Sequence, residues 1–339
     1  MIIRDVFGVL EKIGNRTIHD SILKTRAKID SKRKIVCAIS GGSDSDVVLD
    51  ILRLVDAEKK IKYVFYDTGI EYEATKKHLD DLEQKYQITI EREKAKMPIP
   101  LACRKYGIPF WSKYVSDMVE RLQTHKFNWE DKSYDELIKQ YPKCIGALRW
   151  WCNKNGDETS SFNICHIRGL KEFMCKNPPN FNISGKCCKG AKKDVAKDFL
   201  IRNKADLSVL GIRKLEGGIR ATAYKSCFDE GKNGEDWCNY RPIFWFSDKD
   251  KYEYVKLFDI KHSDCYGKYG LIRTGCAGCP FGKKFEDELE AIEKYEPKLY
   301  KAVNNIFGKS YEYTRKFLEF RKRLFVVDGL TYQQQTIFD

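Results

Sequence analysis

The sequence lacks the features of a membrane or a secreted protein. No apolar run approaches the roughly 18 residues that a membrane-spanning helix requires, so we expect no membrane partner. Charged residues follow the first Met almost at once, at Arg4 and Asp5, which predicts that no secretory signal opens the chain. The sequence also shows no internal repeat and no low-complexity tract. These absences predict a globular protein of the cytoplasm.

The composition points to metal binding and to anionic partners. Thirteen cysteines without an export signal favour reduced thiols and metal ligation over a disulfide framework. A chain of 339 residues, of which 42% are hydrophobic, has room for one large or two modest domains with a buried core. The formal net charge of +13 indicates partners such as nucleotides or nucleic acid, and a solvated basic surface is the alternative.

A glycine-rich loop follows the first predicted strand. The apolar run from Ile35 leads into Ser40-Gly41-Gly42-Ser43-Asp44-Ser45, after which the periodicity is helical. Glycines at this place let the backbone turn tightly, so its N–H groups and the next helix N-terminus can face an anion. No Gly-Lys-Ser/Thr follows, which excludes a Walker A loop. We predict a phosphate site here, with an ordinary Gly-Ser turn as the alternative.

Alternating strands and helices predict the fold. Strands at about 34–39, 61–66, 88–90 and 207–210 alternate with helices, of which the first two run to about 56 and over 73–86. This alternation predicts an α/β fold with a doubly wound parallel sheet. Ligands of such sheets bind beyond the carboxyl ends of the strands, where the loop at 40–45 and Asp67-Thr68-Gly69 both fall.

The remaining segments divide the chain into predicted regions. Residues 1–33 form a helical lead-in, and 34–255 form the nucleotide-binding domain, with a mostly helical insertion at about 97–180. Residues 256–339 form a helical C-terminal region that completes the cysteine site, with helical periodicity at 250–260 and 284–325.

Two cysteine pairs have the spacing of metal ligands. Cys187-Cys188 and the C-x-x-C pair Cys276 and Cys279 supply four thiolates, which suit either a tetrahedral zinc ion or an iron–sulfur cluster. Neighbouring side chains must bend sharply to share one ion, whereas the separate iron corners of a cubane accept them. The doublet therefore favours a 4Fe–4S cluster over zinc, and buried core thiols are the alternative to both.

Taken in order, these motifs resemble the phosphoadenosine phosphosulfate (PAPS) reductase family, in the iron–sulfur branch of the adenine nucleotide alpha hydrolase (PP-loop) superfamily. Residues 40–45 are similar to its phosphate loop, with Ser43 where Lys is frequent, and 65–71 are similar to its Asp-Thr-Gly element. The cysteine pairs match its 4Fe–4S signature. Two further stretches match: Gly211-Ile212-Arg213 with Arg220, where Gly217 replaces a serine, and Arg241-Pro242-Ile243 with Asp250 and Tyr254.

The resemblance implies an adenine nucleotide alpha hydrolase-like fold that binds ATP or a related nucleotide with Mg²⁺. Pyrophosphate leaving ATP would lie against the loop and the helix N-terminus. The implied catalytic residues are Asp44, which would orient Mg²⁺ or the loop, and Arg213 and Arg220, which would grip phosphate. The implied nucleotide-binding residues are Ser40, Gly41, Gly42, Ser43, Asp44, Ser45, Asp67, Thr68, Gly69, Gly211 and Arg213.

One departure from the family changes the predicted reaction. Sulfonucleotide reductases of this family carry a nucleophilic cysteine near the C-terminus, whereas the last cysteine here is Cys279. We therefore favour the chemistry of DndC-type phosphorothioation proteins and tRNA-thiolating enzymes, in which ATP activates an acceptor oxygen that sulfur then replaces. The implied partners are DNA or tRNA and a sulfur donor such as a cysteine desulfurase.

Three alternatives stay open at this point. A PAPS or adenylyl-sulfate reductase could use Cys227, Cys238 or Cys265 as its nucleophile, a thionating enzyme could act on a small molecule, and a sensor would bind without catalysis. Trp150 and Trp151 are candidates for stacking on nucleic-acid bases, although clustered Trp side chains more often pack in a core.

Overall fold

The chain folds into two compact units. The computed structural model describes residues 8, 10, 11, 13–157, 160–216, 224–231, 235–281 and 285–327. The first unit comprises Met1–Pro98, Lys189–Ala277 and Glu290–Leu299, and the second comprises Ile99–Cys188, Gly278–Leu289 and Tyr300–Asp339. Within these described ranges, no helix has the length and apolar character needed to cross a membrane. The domain boundaries placed at 33 and 255 from the sequence stay predictions.

The first unit is built on a six-stranded sheet. Its strand order is β3-β2-β1-β4-β6-β5, and all neighbours are parallel except β5, which pairs antiparallel with β6. The predicted parallel α/β sheet is therefore confirmed. The strands are β1 (Ile35–Ala38), β2 (Ile61–Asp67), β3 (Ile90–Lys94), β4 (Leu207–Val209), β5 (Phe228–Asp229) and β6 (Cys238–Tyr240).

Helices cover both faces of this sheet. Alternate residues of β1 point to opposite faces, so Ile35 and Cys37 join one apolar core while Val36 joins another. The core around Val36 includes Phe199 and Leu200. The helices of this unit are α1 (Arg16–Asp30), α2 (Ser43–Val55), α3 (Glu73–Tyr86), α9 (Asp194–Arg202), α10 (Asp248–Leu257) and α11 (Asp264–Gly267).

The third strand begins later than the sequence indicated. The sequence pattern predicts it at 88–90, but β3 starts at Ile90, because α3 ends at Tyr86 and its C-cap residue, Gln87, adopts a left-handed conformation with φ of 51°. The chain needs residues 88 and 89 to return to the sheet, where Tyr63 of β2 pairs with Ile90. A residue in the left-handed conformation commonly ends a helix, and it is usually glycine. Because the residue here is Gln, the sequence does not indicate this helix end.

The second unit is helical, as predicted for the insertion. Its elements are α4 (Ile99–Tyr106), α5 (Lys113–Thr124), α6 (Tyr134–Gln140), α7 (Ile145–Trp151) and α8 (Leu170–Lys176). Trp150 and Trp151 are 1% and 0% exposed and lie in the aromatic core of this unit. They are therefore core residues and present no surface for stacking on bases.

Two helices follow residue 284 in the described part of the C-terminal region. These are α12 (Phe285–Tyr295) and α13 (Pro297–Val327), in a stretch whose periodicity predicted helix over 284–325. Pro297 supplies the start of α13, because proline is tolerated in a first helical turn and disfavours helix in the residue before it. The predicted helical C-terminal region is confirmed.

Candidate nucleotide site and cysteine group

The phosphate loop turns sharply where β1 ends. Gly41 has φ of +67°, a left-handed conformation that side chains other than glycine adopt with strain. A Cβ at this position would also lie 2.7 Å from Cγ2 of Thr75 on α3. The turn therefore requires glycine twice over, for its backbone angle and for the space beside it.

The loop leads directly into the N-terminus of α2. Gly42 is the N-cap residue and, as a glycine, supplies no side-chain hydrogen bond to the positive end of the helix dipole. Two serines brace the turn instead. Ser45 Oγ donates to the Gly42 carbonyl at 2.8 Å, and Ser40 Oγ accepts from Gly42 N at 3.3 Å. These contacts hold the loop's shape.

Two cations surround Asp44 in the first turn of α2. Nε of Arg213 lies 3.1 Å and 3.2 Å from the two carboxylate oxygens of Asp44, and Nζ of Lys251 lies 2.5 Å from one of them. The side chains of Arg213 and Lys251 are 11% and 17% exposed, so their charges are only partly screened by water. Asp44 thus orients both cations beside the loop.

Lys251 is a site residue that the sequence reasoning missed. It lies on α10, and its Nζ donates to Ser43 Oγ at 2.6 Å. Ser43 stands where the resembled family often has lysine. In this chain the ammonium group beside that position belongs to Lys251 on α10, which is distant in sequence. The only sequence clue to Lys251 is its position directly after Asp250, which belongs to the pattern shared with the resembled family.

Asp250 itself has a structural role. It forms a capping box with Ser247 at the start of α10, and it accepts a hydrogen bond from Asn15 at 2.8 Å. Tyr254, the other residue of that pattern, donates to Asp50 at 3.0 Å in the core. Asp250 ties α10 to the start of α1 and Tyr254 ties it to α2, and together they fix the helix that carries Lys251.

Gly211 lies at the end of β4 against the phosphate loop. A Cβ on this residue would be 3.2 Å from the backbone N and Cα of Ser45, which is tighter than most packed contacts. Because helix backbone cannot easily move, the glycine permits the close approach of β4 to α2 and brings Arg213 alongside Asp44. In this structure Gly211 thus acts as a spacer, and its contact with the nucleotide stays a prediction.

Tyr266 and Thr274 are two further residues at this loop. Tyr266 OH accepts a hydrogen bond from Ser43 N at 2.9 Å, and it lies 3.2 Å from Thr274 Oγ1. Neither was found from the sequence, because isolated tyrosines and threonines carry no motif. They place hydroxyl groups where a bound anion would meet the helix N-terminus.

The Asp-Thr-Gly element forms a tight turn after β2. Asp67 Oδ1 accepts from Gly69 N at 2.8 Å, and Gly69 has φ of +89°. Thr68 is 0% exposed, and its hydroxyl donates to Glu71 at 2.5 Å. Thr68 therefore fixes the turn from inside, while Gly69 lies at the surface.

Glu71 gives this turn a dependence on pH. Burial raises the pKa of its carboxyl group, although hydrogen bonds from Thr68 act in the opposite direction. A raised folded-state pKa adds stability below the unfolded pKa, and this contribution is lost as the pH rises through the folded pKa.

We therefore expect Glu71→Gln to stabilise the chain more at about pH 8 than at about pH 4, because the carboxyl is ionised only at the higher value. Glutamine keeps an acceptor oxygen for Thr68 and cannot ionise. Urea unfolding of both proteins at the two pH values measures the difference. An equal effect at both values would show that burial does not penalise the Glu71 charge.

A buried carboxylate anchors the helix behind the loop. Asp46 on α2 is 0% exposed, and its two oxygens lie 3.0 Å from His78 Nε2 and 2.7 Å from His262 Nδ1. The histidines come from α3 and from the segment before α11, so the contact ties both to the first turn of α2. A lone Asp gave no sequence signal for this anchor.

Not every predicted catalytic residue lies in the described structure. Arg220 and Gly217 fall outside the described residues. The phosphate loop, Arg213 and Gly211 are brought together at the carboxyl ends of β1 and β4, as the fold predicts.

The predicted metal ligands divide between the two units. Cys187, Cys188 and Cys279 belong to the second unit and Cys276 to the first. The Cys187 thiol is hydrogen-bonded to those of Cys103 and Cys188, and the bond to Cys103 and burial raise its pKa. Within the described ranges, no three His, Cys, Asp or Glu side chains converge as they would around one metal ion. That these cysteines hold a 4Fe–4S cluster stays a prediction from their spacing.

The comparisons with known proteins support the family resemblance. Residues 34–144 match the family model for the phosphoadenosine phosphosulfate reductase domain. The matched stretch includes the phosphate loop and the Asp-Thr-Gly turn. An uncharacterized protein of Methanocaldococcus jannaschii, MJ0066, is 28% identical over 312 residues, which cover 92% of this chain and 48% of that protein. The chain therefore spans about half the length of the curated relative it matches.

Three solved structures are similar at a greater distance. A phosphoadenylyl-sulfate (PAPS) reductase from Candida auris has 10% identity and a TM-score of 0.40, with 79% of this chain and 92% of that chain covered. An NH3-dependent NAD synthetase from Campylobacter jejuni has 13% identity and a TM-score of 0.35, with 91% and 96% covered. The U34-tRNA thiolase NcsA from Methanococcus maripaludis, with its [4Fe-4S] cluster, has 13% identity and a TM-score of 0.35, with 88% and 78% covered.

Proposed function

We propose that this chain, whose residues 34–144 match the PAPS reductase domain, is an ATP pyrophosphatase that activates an acceptor oxygen for sulfur insertion. The observation that carries the proposal is the phosphate loop, which leads into a helix with glycine at its N-cap and is flanked by Arg213 and Lys251. A helix N-terminus with two cations beside it suits the anionic leaving group of such a reaction.

In the proposed reaction, an oxygen of the acceptor attacks the α-phosphorus of ATP. The bond between the α-phosphorus and the bridging oxygen of the β-phosphate breaks, and pyrophosphate takes the electron pair. The loop N–H groups and the guanidinium of Arg213 stabilise the charge that develops on pyrophosphate. A sulfur nucleophile then displaces AMP from the activated acceptor.

Lys251 and Asp44 have separate parts in this step. Lys251 supplies a positive charge at Ser43, and Asp44 holds the ammonium and the guanidinium in place. When bound, Mg²⁺ would neutralise further phosphate charge, and the carboxylate of Asp44 would help to orient it. Arg220 stays a predicted phosphate ligand.

Exposed aromatic and basic side chains beside these cations favour a nucleic-acid acceptor. Tyr252, next to Lys251, is 69% exposed, and Trp245 is 51% exposed. Nζ of Lys214, next to Arg213, lies 4.9 Å from the centre of the Trp245 ring. Flat rings beside cations are the arrangement that stacks bases and contacts phosphate, and the net charge of +13 supports it.

The cysteine group suits a 4Fe–4S cluster. The sequence spacing predicts Cys187, Cys188, Cys276 and Cys279 as its ligands. When bound, such a cluster would supply redox chemistry or an iron site for sulfur. The nucleotide-binding residues described above do not depend on it.

The acceptor is tested by supplying ATP, Mg²⁺ and sodium sulfide with bulk tRNA, duplex DNA or no nucleic acid. We expect AMP formation to depend on one of the nucleic acids, and mass spectrometry of its nuclease digest to show a thionucleoside or a phosphorothioate linkage. If AMP forms at the same rate with and without either nucleic acid, and no thionucleoside or phosphorothioate is found, a nucleic-acid acceptor is rejected and a small-molecule acceptor is favoured.

A parallel reaction with PAPS or adenylyl sulfate and a dithiol tests the reductase alternative. Sulfite release would establish that activity instead. Burial raises the pKa of the Cys265 thiol, one of its candidate nucleophiles, and this disfavours the thiolate such a reaction requires.

A further inference from the structure

A cavity opens at the edge of the sheet opposite to the phosphate loop. Its volume is about 390 Å³, and all of its lining residues belong to the first unit. The loop follows the carboxyl end of β1, whereas this cavity lies at the amino end of the neighbouring parallel strand, where Ile61 begins β2. The last turn of α2, the turn that follows it and the residues around the start of β3 complete the lining. The proposed reaction therefore uses no residue of this cavity.

Basic side chains predominate in this lining, which contains a single acidic residue, Glu91. The basic residues are Arg53, Lys59, Lys60 and Lys62. Lys62 is paired with Glu91 at 3.1 Å, and Lys60 lies 3.6 Å from the exposed Glu58. Arg53 and Lys59 form no ion pair with any side chain that the structure describes. A cation at a helix C-terminus is common, which accounts for Arg53 at the end of α2 but not for Lys59.

Tyr63 brings an unpartnered polar group to the same cavity. The residue is 3% exposed, and its buried hydroxyl has no hydrogen-bond partner among the described residues. Only one other buried side-chain polar atom in the described part of the chain shares this property. Folded proteins seldom retain such a group, because it has lost its bonds to water without replacing them. The Tyr63 hydroxyl is therefore available to donate a hydrogen bond to a bound molecule.

The acidic group nearby is already engaged by the backbone. Burial raises the pKa of Tyr63, Arg53 acts in the opposite direction and Asp56 adds to the rise, so both charges lie near the hydroxyl. The two oxygens of Asp56 accept hydrogen bonds from Lys60 N at 3.1 Å and Ile61 N at 3.2 Å. These bonds brace the turn that carries Lys59. A guanidinium, an ammonium and a hydroxyl thus line one opening, and all three can donate to the oxygens of a phosphate or a carboxylate.

The cavity has room for more than a bare ion. A volume of about 390 Å³ lies within the range of sites that bind small organic molecules. The half-buried Ile88 and the ring of Tyr63 add apolar surface beside the cations. Such sites combine apolar walls with a few polar groups that fix the orientation of the ligand. The lining therefore suits an organic molecule with an anionic end.

We propose that this cavity is a second ligand site, which binds a small organic molecule carrying a phosphate or a carboxylate group. Arg53, Lys59 and the Tyr63 hydroxyl hold the anionic group, and Ile88 packs against the body of the molecule. Because the site lies at the opposite edge of the sheet from the phosphate loop, it does not depend on the proposed function.

The test compares melting temperatures with and without sodium phenyl phosphate or sodium benzoate, at constant ionic strength. The variants are Arg53→Gln and Tyr63→Phe. Arg16→Gln is the matched control, because the Arg16 side chain is 95% exposed on α1 and lies outside the lining. A compound that also bound at the phosphate loop would stabilise all of these proteins equally. The difference between the variants and the control therefore reports on this cavity alone.

We expect at least one of the two compounds to stabilise the native chain and Arg16→Gln equally, and Arg53→Gln and Tyr63→Phe about half as much. Loss of one hydrogen bond to a charged group weakens binding about tenfold, which about halves the stabilisation when the ligand is at about 100 times its Kd. Equal stabilisation of all four proteins by both compounds, or of none by either, would overturn the assignment. Phenyl phosphate and benzoate together show which anionic group the site prefers.

The melting temperatures without ligand give a second readout. Tyr63→Phe removes only a hydroxyl that has no partner, so this variant should be at least as stable as the native chain when no ligand is present. A clear loss of stability would show that the protein itself satisfies the hydroxyl, which contradicts its role in binding. If Arg53→Gln does not fold, Tyr63→Phe alone decides the result. ATP turnover enters neither measurement, so failure of the proposed function would leave both unchanged.

Discussion

Lys251→Ala is expected to lower kcat/KM for pyrophosphate release from ATP by about 100-fold, the usual effect of removing one donor aimed at developing charge. The ammonium of Lys251 lies 2.6 Å from Ser43 Oγ and 2.5 Å from Asp44, at the start of the helix to which the proposal assigns the departing pyrophosphate. Its removal also leaves Asp44 with Arg213 as its cation, so the negative charge at the loop increases. Steady-state kinetics with a pyrophosphate-coupled assay measures the loss.

Lys249→Ala is the matched control for this prediction. Lys249 lies on the same helix two positions earlier and is exposed, so its removal changes the net charge equally without touching the loop. We expect its kcat/KM to stay within about twofold of the native value, as for most surface substitutions. Equal losses in the two variants would mean that only the overall charge matters and that Lys251 has no local role.

Gly41→Ala is expected to weaken ATP binding by about 100-fold, since a displacement of about 1 Å at a binding site has effects of this size. The φ of +67° costs about 1–2 kcal/mol for a residue with a Cβ. In addition, the new methyl group would lie 2.7 Å from Thr75 Cγ2, so the loop must move away from α3. Calorimetric titration with a non-hydrolysable ATP analogue measures the change.

A second substitution separates the collision from the backbone strain. Thr75→Ser removes Cγ2 and retains the hydroxyl that contacts Cys265, so the double variant should recover part of the lost affinity. Gly14→Ala is the control, because nothing lies within 4 Å of a Cβ at that exposed glycine. Unchanged ATP affinity in Gly41→Ala would contradict the assignment of this loop to phosphate binding.

The central sheet and its phosphate loop could be predicted because both depend on local sequence. The apolar run ending at Ala38, the glycines after it and the helical periodicity from Asp46 identify β1, the turn and α2. The short strands β5 and β6 could not be predicted in this way. Strands of two and three residues have too few positions to show an alternation.

The residues that complete the site were harder to find because they act through contacts between distant segments. Lys251, Tyr266 and Thr274 come from α10 and the region after it, and they meet the loop only after folding. Asp250 matches a motif of the resembled family, and its role in the structure is to cap α10.

The most direct test of the proposed reaction is to identify the products of ATP by phosphorus NMR. The chain is incubated with ATP, Mg²⁺ and the acceptor that supports turnover, with Lys251→Ala as the comparison. Attack at the α-phosphorus predicts AMP and pyrophosphate in equal amounts, formed much more slowly by the variant. ADP and inorganic phosphate as the products would contradict the account, because the loop would then serve attack at the γ-phosphorus.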